Sequence, residues 1–147
     1  MKKQIMRIAA LTLFVTTFAV ASAHAQNSSA NQKVTIPFDF FVGSEKLPAG
    51  KYILRAEDSR TAMRIQRGDQ SIGTYFLIHP VGGSQIQDQS KLIFRKYGDQ
   101  YFLSRVWAAG HATGHELNMS NRQRGLEREI AKRAGKSESV AVTMRAN

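Results

Sequence analysis

The sequence predicts an all-β protein: a single small antiparallel barrel or sandwich with a charged C-terminal helix. Apolar and polar side chains alternate along several short segments after Lys33, which is the period of a half-buried strand. Two Gly-Asp pairs separate segments of this kind, as in β-hairpins. The pattern becomes helical after Ser120. A length of 147 residues allows one domain, and the hairpin spacing predicts about seven strands.

The first 25 residues are predicted to be a cleaved secretory signal peptide. A cationic start with Lys2, Lys3 and Arg7 precedes an apolar stretch, and small residues up to Ala25 fit the signal peptidase rule. An uncleaved membrane anchor is the alternative, but the apolar run is shorter than the roughly 20 residues that a span needs. Without an Arg-Arg pair, the general secretory route is favoured. We therefore expect a periplasmic or extracellular protein with no transmembrane span in its mature chain.

Composition excludes several kinds of site. The full chain carries a formal charge of +10, and loss of the signal segment would leave 122 residues with a charge of +7. The absence of cysteine excludes disulfides, thiolate metal sites and a cysteine nucleophile. A chain of this length can bury a sufficient core without such cross-links.

The chain beyond the signal peptide divides into three parts by composition. The predicted parts are a flexible lead-in at residues 26–32, a β domain at 33–119 and a basic helical tail at 120–147. Val140 and Val142 alternate with small or polar residues, so the tail ends either in a strand or in disorder. Within the β domain, residues 33–40 read as one strand with an edge position or bulge at Pro37.

Two hairpins are predicted around Gly68-Asp69 and Gly98-Asp99, each with a two-residue type II′ turn. In the second hairpin this turn pairs Tyr97 with Gln100 and brings Leu92 opposite Arg105. The resulting ribbon is apolar on both faces, so both faces should be covered. Residues 79–85 and 108–115 are rich in small residues and are predicted to be loops.

The tail is predicted to contain a helix over residues 121–134. Ser120 and Gln123 have the spacing of a capping box, and Gly135 fits a C-cap glycine. The apolar stripe is narrow and centres on Leu126 and Ile130.

No catalytic motif is recognisable, and neither a cofactor nor a resident metal is predicted. The sequence lacks the G-x-S-x-G, P-loop and dinucleotide-binding patterns. The residues that could reach a metal are His111, His115 and Glu116, with His79 as the remaining histidine beyond the signal segment. They lie in a glycine-containing segment without an evident further ligand, although zinc requires three or four converging ligands. A metal-dependent hydrolase therefore stays a minor alternative.

The tail holds much of the positive charge. Seven cations and three carboxylates lie between Ser120 and the end of the chain. The candidate contacts for an anionic ligand are Arg122, Arg124, Arg128, Lys132 and Arg133. The competing interpretation is a solvated helix face with i,i+4 ion pairs such as Glu129 with Arg133. Nucleic acid is not an expected partner of an exported protein.

Three segments carry a resemblance: V-T-I-P-F-D-F-F-V-G (34–43), L-P-A-G-K-Y (47–52) and L-I-F-R-K-Y-G-D-Q-Y-F-L-S-R-V-W (92–107). Together with the basic tail, they resemble a group of small exported bacterial proteins of unknown function. The resemblance implies export and a β-rich domain, and it carries over no catalytic residue. L-P-A-G-K-Y is also similar to a turn-strand element of prealbumin-like and other β-sandwich modules.

The leading functional hypothesis is an exported, non-enzymatic binding or structural module of the bacterial cell envelope. Its partner would be an envelope protein or an anionic polymer, the latter bound through the basic tail.

Overall fold

A computed structural model describes residues 31–57, 61–133 and 135–145 of the chain. The predicted signal peptide and most of the lead-in lie outside the described residues, as does the turn at residues 58–60. No helix in these ranges is long and apolar enough to cross a bilayer.

The described chain is mostly strand, with one helix near its C-terminal end, which confirms the predicted fold class at that level. In chain order the elements are β1 (Gln32–Ile36), β2 (Phe40–Val42), β3 (Glu45–Leu47), β4 (Gly50–Ala56), β5 (Ala62–Arg67), β6 (Gly73–Gly82), β7 (Lys91–Tyr97), β8 (Gln100–Trp107), β9 (Thr113–Leu117), α1 (Asn121–Lys132) and β10 (Glu138–Thr143). The ten described strands exceed the predicted seven.

All ten strands belong to one sheet. Its main path runs β1-β4-β5-β6-β9-β8-β2-β3, while β7 pairs with both β8 and β10. Pairing is antiparallel except between β2 and β8, which run parallel at Phe40 and Phe41. The β10 strand is one of the two predicted endings of the tail, and it pairs with β7 over six positions, which joins the end of the tail to the sheet.

The predicted barrel does not form, because the paired strands make an open sheet. Among the described residues, the β1 strand and the chain after β10 pair only at an isolated bridge between Lys33 and Arg145. There each main-chain N–H donates to the carbonyl of the other residue, at 3.0 and 2.8 Å. We call this contact the seam.

Two predicted features of the β domain are wrong in detail. Pro37 ends β1 instead of lying within one long strand, and β2 begins three residues later with different neighbours. Residues 79–82 and 113–115 are not loops, because they pair as β6 and β9 with Pro80 opposite His115. Small residues favour turns as a local preference. Here β6 pairs with a strand some 35 residues later in the sequence, and this pairing outweighs the local preference.

The second hairpin has the predicted turn and the predicted register near it. Gly98 has a φ of +60°, and Tyr97 pairs with Gln100. A register shift between Ile93 and Phe94 then places Arg105 opposite Ile93, so the predicted pairing of Leu92 with Arg105 is wrong. The extra residue is Ser104, which is buried. A bulge of this kind adds one residue to one strand, so the side chains of that strand beyond the bulge point to the opposite face of the sheet from the one predicted.

The first hairpin has a longer turn than predicted. Its ladder begins with Gln66 opposite Gly73, and Gln70 in the connecting loop has a φ of +62°. A two-residue turn would pair Arg67 with Gln70, whereas Arg67 is hydrogen-bonded to Ile72. The shift is an even number of residues, so each side chain keeps its face of the sheet. Met63 and Phe76 therefore still face the interior, as the alternation predicts.

The main hydrophobic core is formed by side chains from both halves of the chain. Phe40 is fully buried and packs edge-on against Tyr52 and Phe94, with ring centroids 5.3 and 5.5 Å apart. Met144, beyond β10, belongs to the same core.

Candidate functional site

The candidate site is the outward face of α1, which a small aromatic cluster holds against the sheet. Phe41, Tyr97 and Phe102 are buried on the face of the sheet opposite the main core. Leu126 and Ile130 of α1 pack on these rings. The apolar stripe of α1 thus covers the second apolar face of the β7–β8 hairpin. The cationic side chains of α1 are exposed on its other side.

Polar contacts fix the beginning of the helix. Ser120 is the N-cap, and its Oγ accepts from the N–H of Gln123 at 3.2 Å. The Gln123 side chain does not complete the predicted capping box; it is buried and donates to the Tyr97 hydroxyl at 3.5 Å. Arg95 of β7 donates to Glu127 at 2.9 Å. These contacts determine which way the helix faces.

The helix ends at Lys132 with Arg133 as C-cap, two residues before the predicted end. Gly135 is not the C-cap, but its N–H donates to the carbonyl of Ile130 at 3.0 Å. The final turn is therefore capped by main-chain bonds.

The five predicted anion contacts form two groups. Arg122 donates to Gln100 Oε1 and lies 4.8 Å from the centre of the Phe41 ring, and Arg124 donates to the Met119 carbonyl. Both side chains help to hold the helix. Three cations of α1 and its C-cap remain, and none of them forms an ion pair with another described residue: Arg128, Lys132 and Arg133.

The structure does not bring the candidate metal ligands together. Glu116 pairs with Arg105 at 3.1 Å and lies 3.8 Å from His79 Nε2. His115 is the next residue of β9 and so faces the other side of the sheet, whereas His111 lies in the preceding loop. Within the ranges that the structure describes, no three His, Asp or Glu side chains are placed to share a metal ion.

His115 has a distinct environment. Its Nδ1 atom is buried and has no hydrogen-bond partner among the described residues. Burial lowers the pKa of His115 below its usual value of 6.5, and the nearby His79 lowers it further. Both effects favour the neutral imidazole over the imidazolium.

A second group of cations, absent from the sequence-based candidates, lies at the seam. Lys33, Lys51 and Arg145 line an open cleft of about 780 Å³ together with the hydroxyl-bearing Thr35 and Thr143. No carboxylate is among the residues described as lining it. Alternation places Lys33 and Lys51 on the outer face of the sheet, but nothing local in the sequence pairs Lys33 with a residue 112 positions away.

No protein-family model matches this chain, and neither the curated proteins nor the solved structures include a significant match to it.

Proposed function

We propose that this chain is an exported, non-enzymatic binding or structural module of the bacterial cell envelope. The observation that carries the proposal is the distribution of side chains: aromatic and aliphatic groups fill the interior, and the unpaired charges lie outside. Ligand-binding pockets are usually concave and largely apolar. A protein arranged in this way offers its outer surface to a partner. The predicted signal peptide and the resemblance to small exported bacterial proteins support the location.

We also propose that the open sheet is packed as a sandwich. Val34 and Ile65 from one half of the sheet share a core with Leu92 and Leu103 from the other half. Shared burial between two halves is the principle of sandwich packing. This arrangement would make the outer surface a rigid display for binding groups.

The second candidate function is binding of an anionic polymer through the basic tail. The observation in its favour is that docking through Leu126 and Ile130 leaves Arg128, Lys132 and Arg133 without described ion-pair partners. A polymer bound here would release counterions, so its affinity would fall steeply with salt.

Pull-down from envelope extract tests the leading proposal. The folded chain should retain a defined partner that the heat-unfolded chain does not retain. Failure to retain any partner, together with turnover of a member of a hydrolase substrate panel, would defeat the proposal.

Elution from a heparin column with increasing salt tests the second candidate. A variant with Arg128→Gln, Lys132→Gln and Arg133→Gln should elute at clearly lower salt than the parent chain. The matched control is Lys33→Gln, Lys51→Gln and Arg55→Gln, which loses the same charge from exposed positions of β1 and β4 and should elute close to the parent. Equal losses in both variants would show that retention follows net charge alone and would exclude the tail as the binding site.

A further inference from the structure

The first half of β6 has a neighbouring strand on one side only. Residues 73–77 pair with β5, from Gly73 opposite Gln66 to Leu77 opposite Ala62. On the other side, pairing with β9 begins at Ile78 and continues towards Gly82. Among the described strands, none pairs with this side of residues 73–77, which we call the open edge.

Two main-chain hydrogen bonds show which groups face the open edge. Ile78 N–H donates to Thr61 at 2.8 Å, and Arg67 N–H donates to Ile72 at 2.7 Å. Hydrogen-bonded positions alternate in an antiparallel ladder, so even-numbered residues of this segment bond to β5. The N–H and carbonyl of Tyr75 consequently point towards the open edge.

The side chains of this segment are unusual for an unprotected edge. Tyr75 is 63% exposed and Leu77 is 66% exposed. The segment G-T-Y-F-L contains no proline and no charge, although soluble proteins generally protect edges with such residues. A cleft of about 370 Å³ lies beside residues 74–77, bounded on its far side by residues 42–45. Among the described residues, the Tyr75 carbonyl accepts only from the Thr74 hydroxyl, at 3.4 Å, and the Tyr75 N–H has no main-chain partner. The cleft leaves space beside both groups.

We propose that the open edge pairs with the same edge of a second copy of this chain. An antiparallel pair with its two-fold axis at Tyr75 places Leu77 opposite Gly73 of the other copy. It also places Phe76 opposite Thr74, so these two large side chains each meet a small one, and the two Tyr75 side chains lie side by side at the axis. Such an interface uses the same surface on both copies, as closed dimers do.

The nearest charge on this face belongs to the neighbouring strand. Arg64 of β5 lies opposite Tyr75, and its guanidinium is 5.3 Å from the centre of the Tyr75 ring. In the proposed pair, three strand spacings, about 14 Å, would separate the two Arg64 main chains. Each guanidinium would lie over the electron-rich face of the Tyr75 ring of its own copy, and this contact offsets part of the repulsion between the two cations.

Sedimentation equilibrium of the exported chain tests the proposal. The parent chain should be dimeric at high concentration. Tyr75→Pro removes the N–H at the centre of the open edge without removing a bond to β5, and it should raise the dimer dissociation constant about tenfold or more. Tyr75→Phe is the matched control, because it keeps that N–H and the ring, and it should remain dimeric. A parent chain that stays monomeric, or a Tyr75→Pro variant that dimerises as well as the parent, overturns the proposal.

Hydrogen exchange provides a second readout that does not depend on the folding of a variant. The amide of Tyr75 should exchange more slowly as the concentration of the parent chain rises, whereas the amide of Phe76, already bonded to β5, should change less. Concentration-independent exchange at Tyr75 overturns the proposal, because its N–H would then have no partner from another copy.

Discussion

Trp107 packs directly against two glycines, and this contact explains why a glycine occurs within a strand at this point. The ring of Trp107 occupies the space where a Cβ on Gly83 or Gly114 would lie. Gly114 belongs to β9, within the segment that the sequence predicts to be a loop. A glycine in a strand often marks such a close approach. Composition alone could not distinguish this role from a turn.

Replacement of Gly114 with Ala should destabilise the protein. Its Cβ would lie 2.6 Å from Trp107 Cε3, so the buried indole would have to move. We expect the free energy of unfolding to fall by about 1–3 kcal/mol, as overpacking usually costs. Gly82→Ala is the matched control, because its Cβ would have no neighbour within 4 Å. Chemical denaturation of both variants measures the difference, and equal stabilities would contradict the described contact.

Protonation of His115 should weaken the fold in mild acid. Burial lowers its pKa in the folded state below the unfolded value of 6.5. Below pH 6.5 the unfolded chain therefore binds more protons at this site than the folded chain does. Stability should be fully retained above that pH and decline as the pH falls towards the lower pKa of the folded state.

Chemical denaturation between about pH 7.5 and pH 5.5 tests this expectation. His115→Gln should lose less stability over that range than the parent chain does. His111→Gln removes an exposed histidine and should follow the parent. An identical pH dependence of His115→Gln and the parent would exclude His115 as the responsible group.

Among the elements, α1 shows what local sequence determines and what it does not. Ser120 begins the helix as predicted, because an N-cap bond forms within four residues of chain. The burial of Gln123 could not be predicted, since its partner Tyr97 lies 26 residues earlier. The apolar stripe was identifiable from spacing, but the rings beneath it come from three strands, β2, β7 and β8.

Replacement of Gly125 with Ala should stabilise α1. Gly125 is exposed within the helix, and an added Cβ would have no neighbour within 4 Å. Removing the backbone freedom of glycine should raise the free energy of unfolding by about 1 kcal/mol. Ala131→Gly, also at an exposed helical position, should lower it by a similar amount. Thermal unfolding measures both, and a destabilised Gly125→Ala variant would show that this face of α1 is covered.

In the β7–β8 hairpin, local sequence likewise predicts only part of the strand register. A two-residue turn determines the pairs next to it, and the four pairs from Tyr97–Gln100 to Phe94–Leu103 are as predicted. Beyond Ser104 the bulge moves Val106 into the core and Trp107 onto the opposite face. Bulges depend on the packing of both faces, so the pattern of a single strand does not reveal them.

For the whole molecule, the alternation of side chains predicts the β class, but not the topology. The order β1-β4-β5-β6-β9-β8 depends on contacts between distant segments. The basic helix could be predicted because its charges are consecutive in the chain. The cleft at the seam could not, because Lys33 and Arg145 meet only when β1 and the end of β10 approach each other.

Removal of residues 138–147 should therefore affect more than the tail. It deletes β10, which pairs with β7 over six positions, and the buried Met144. Burying one such side chain alone contributes about 1.5–3 kcal/mol, so the truncated chain should lose most of its cooperative thermal transition. Truncation after residue 145 removes neither feature and should leave the transition unchanged. A truncated chain that unfolds like the parent would show that β10 is dispensable.

Site-specific photo-crosslinking in intact cells tests the proposed surface binding most directly. A photoreactive side chain would replace Lys132 on the helix, Lys51 at the seam or Tyr75 at the open edge, with exposed Ala109 as a control position. The proposed binding module should form a defined covalent adduct from at least one of the three surfaces and none from Ala109. The absence of an adduct at all three surfaces would contradict the central claim that this protein acts by binding a partner through its surface.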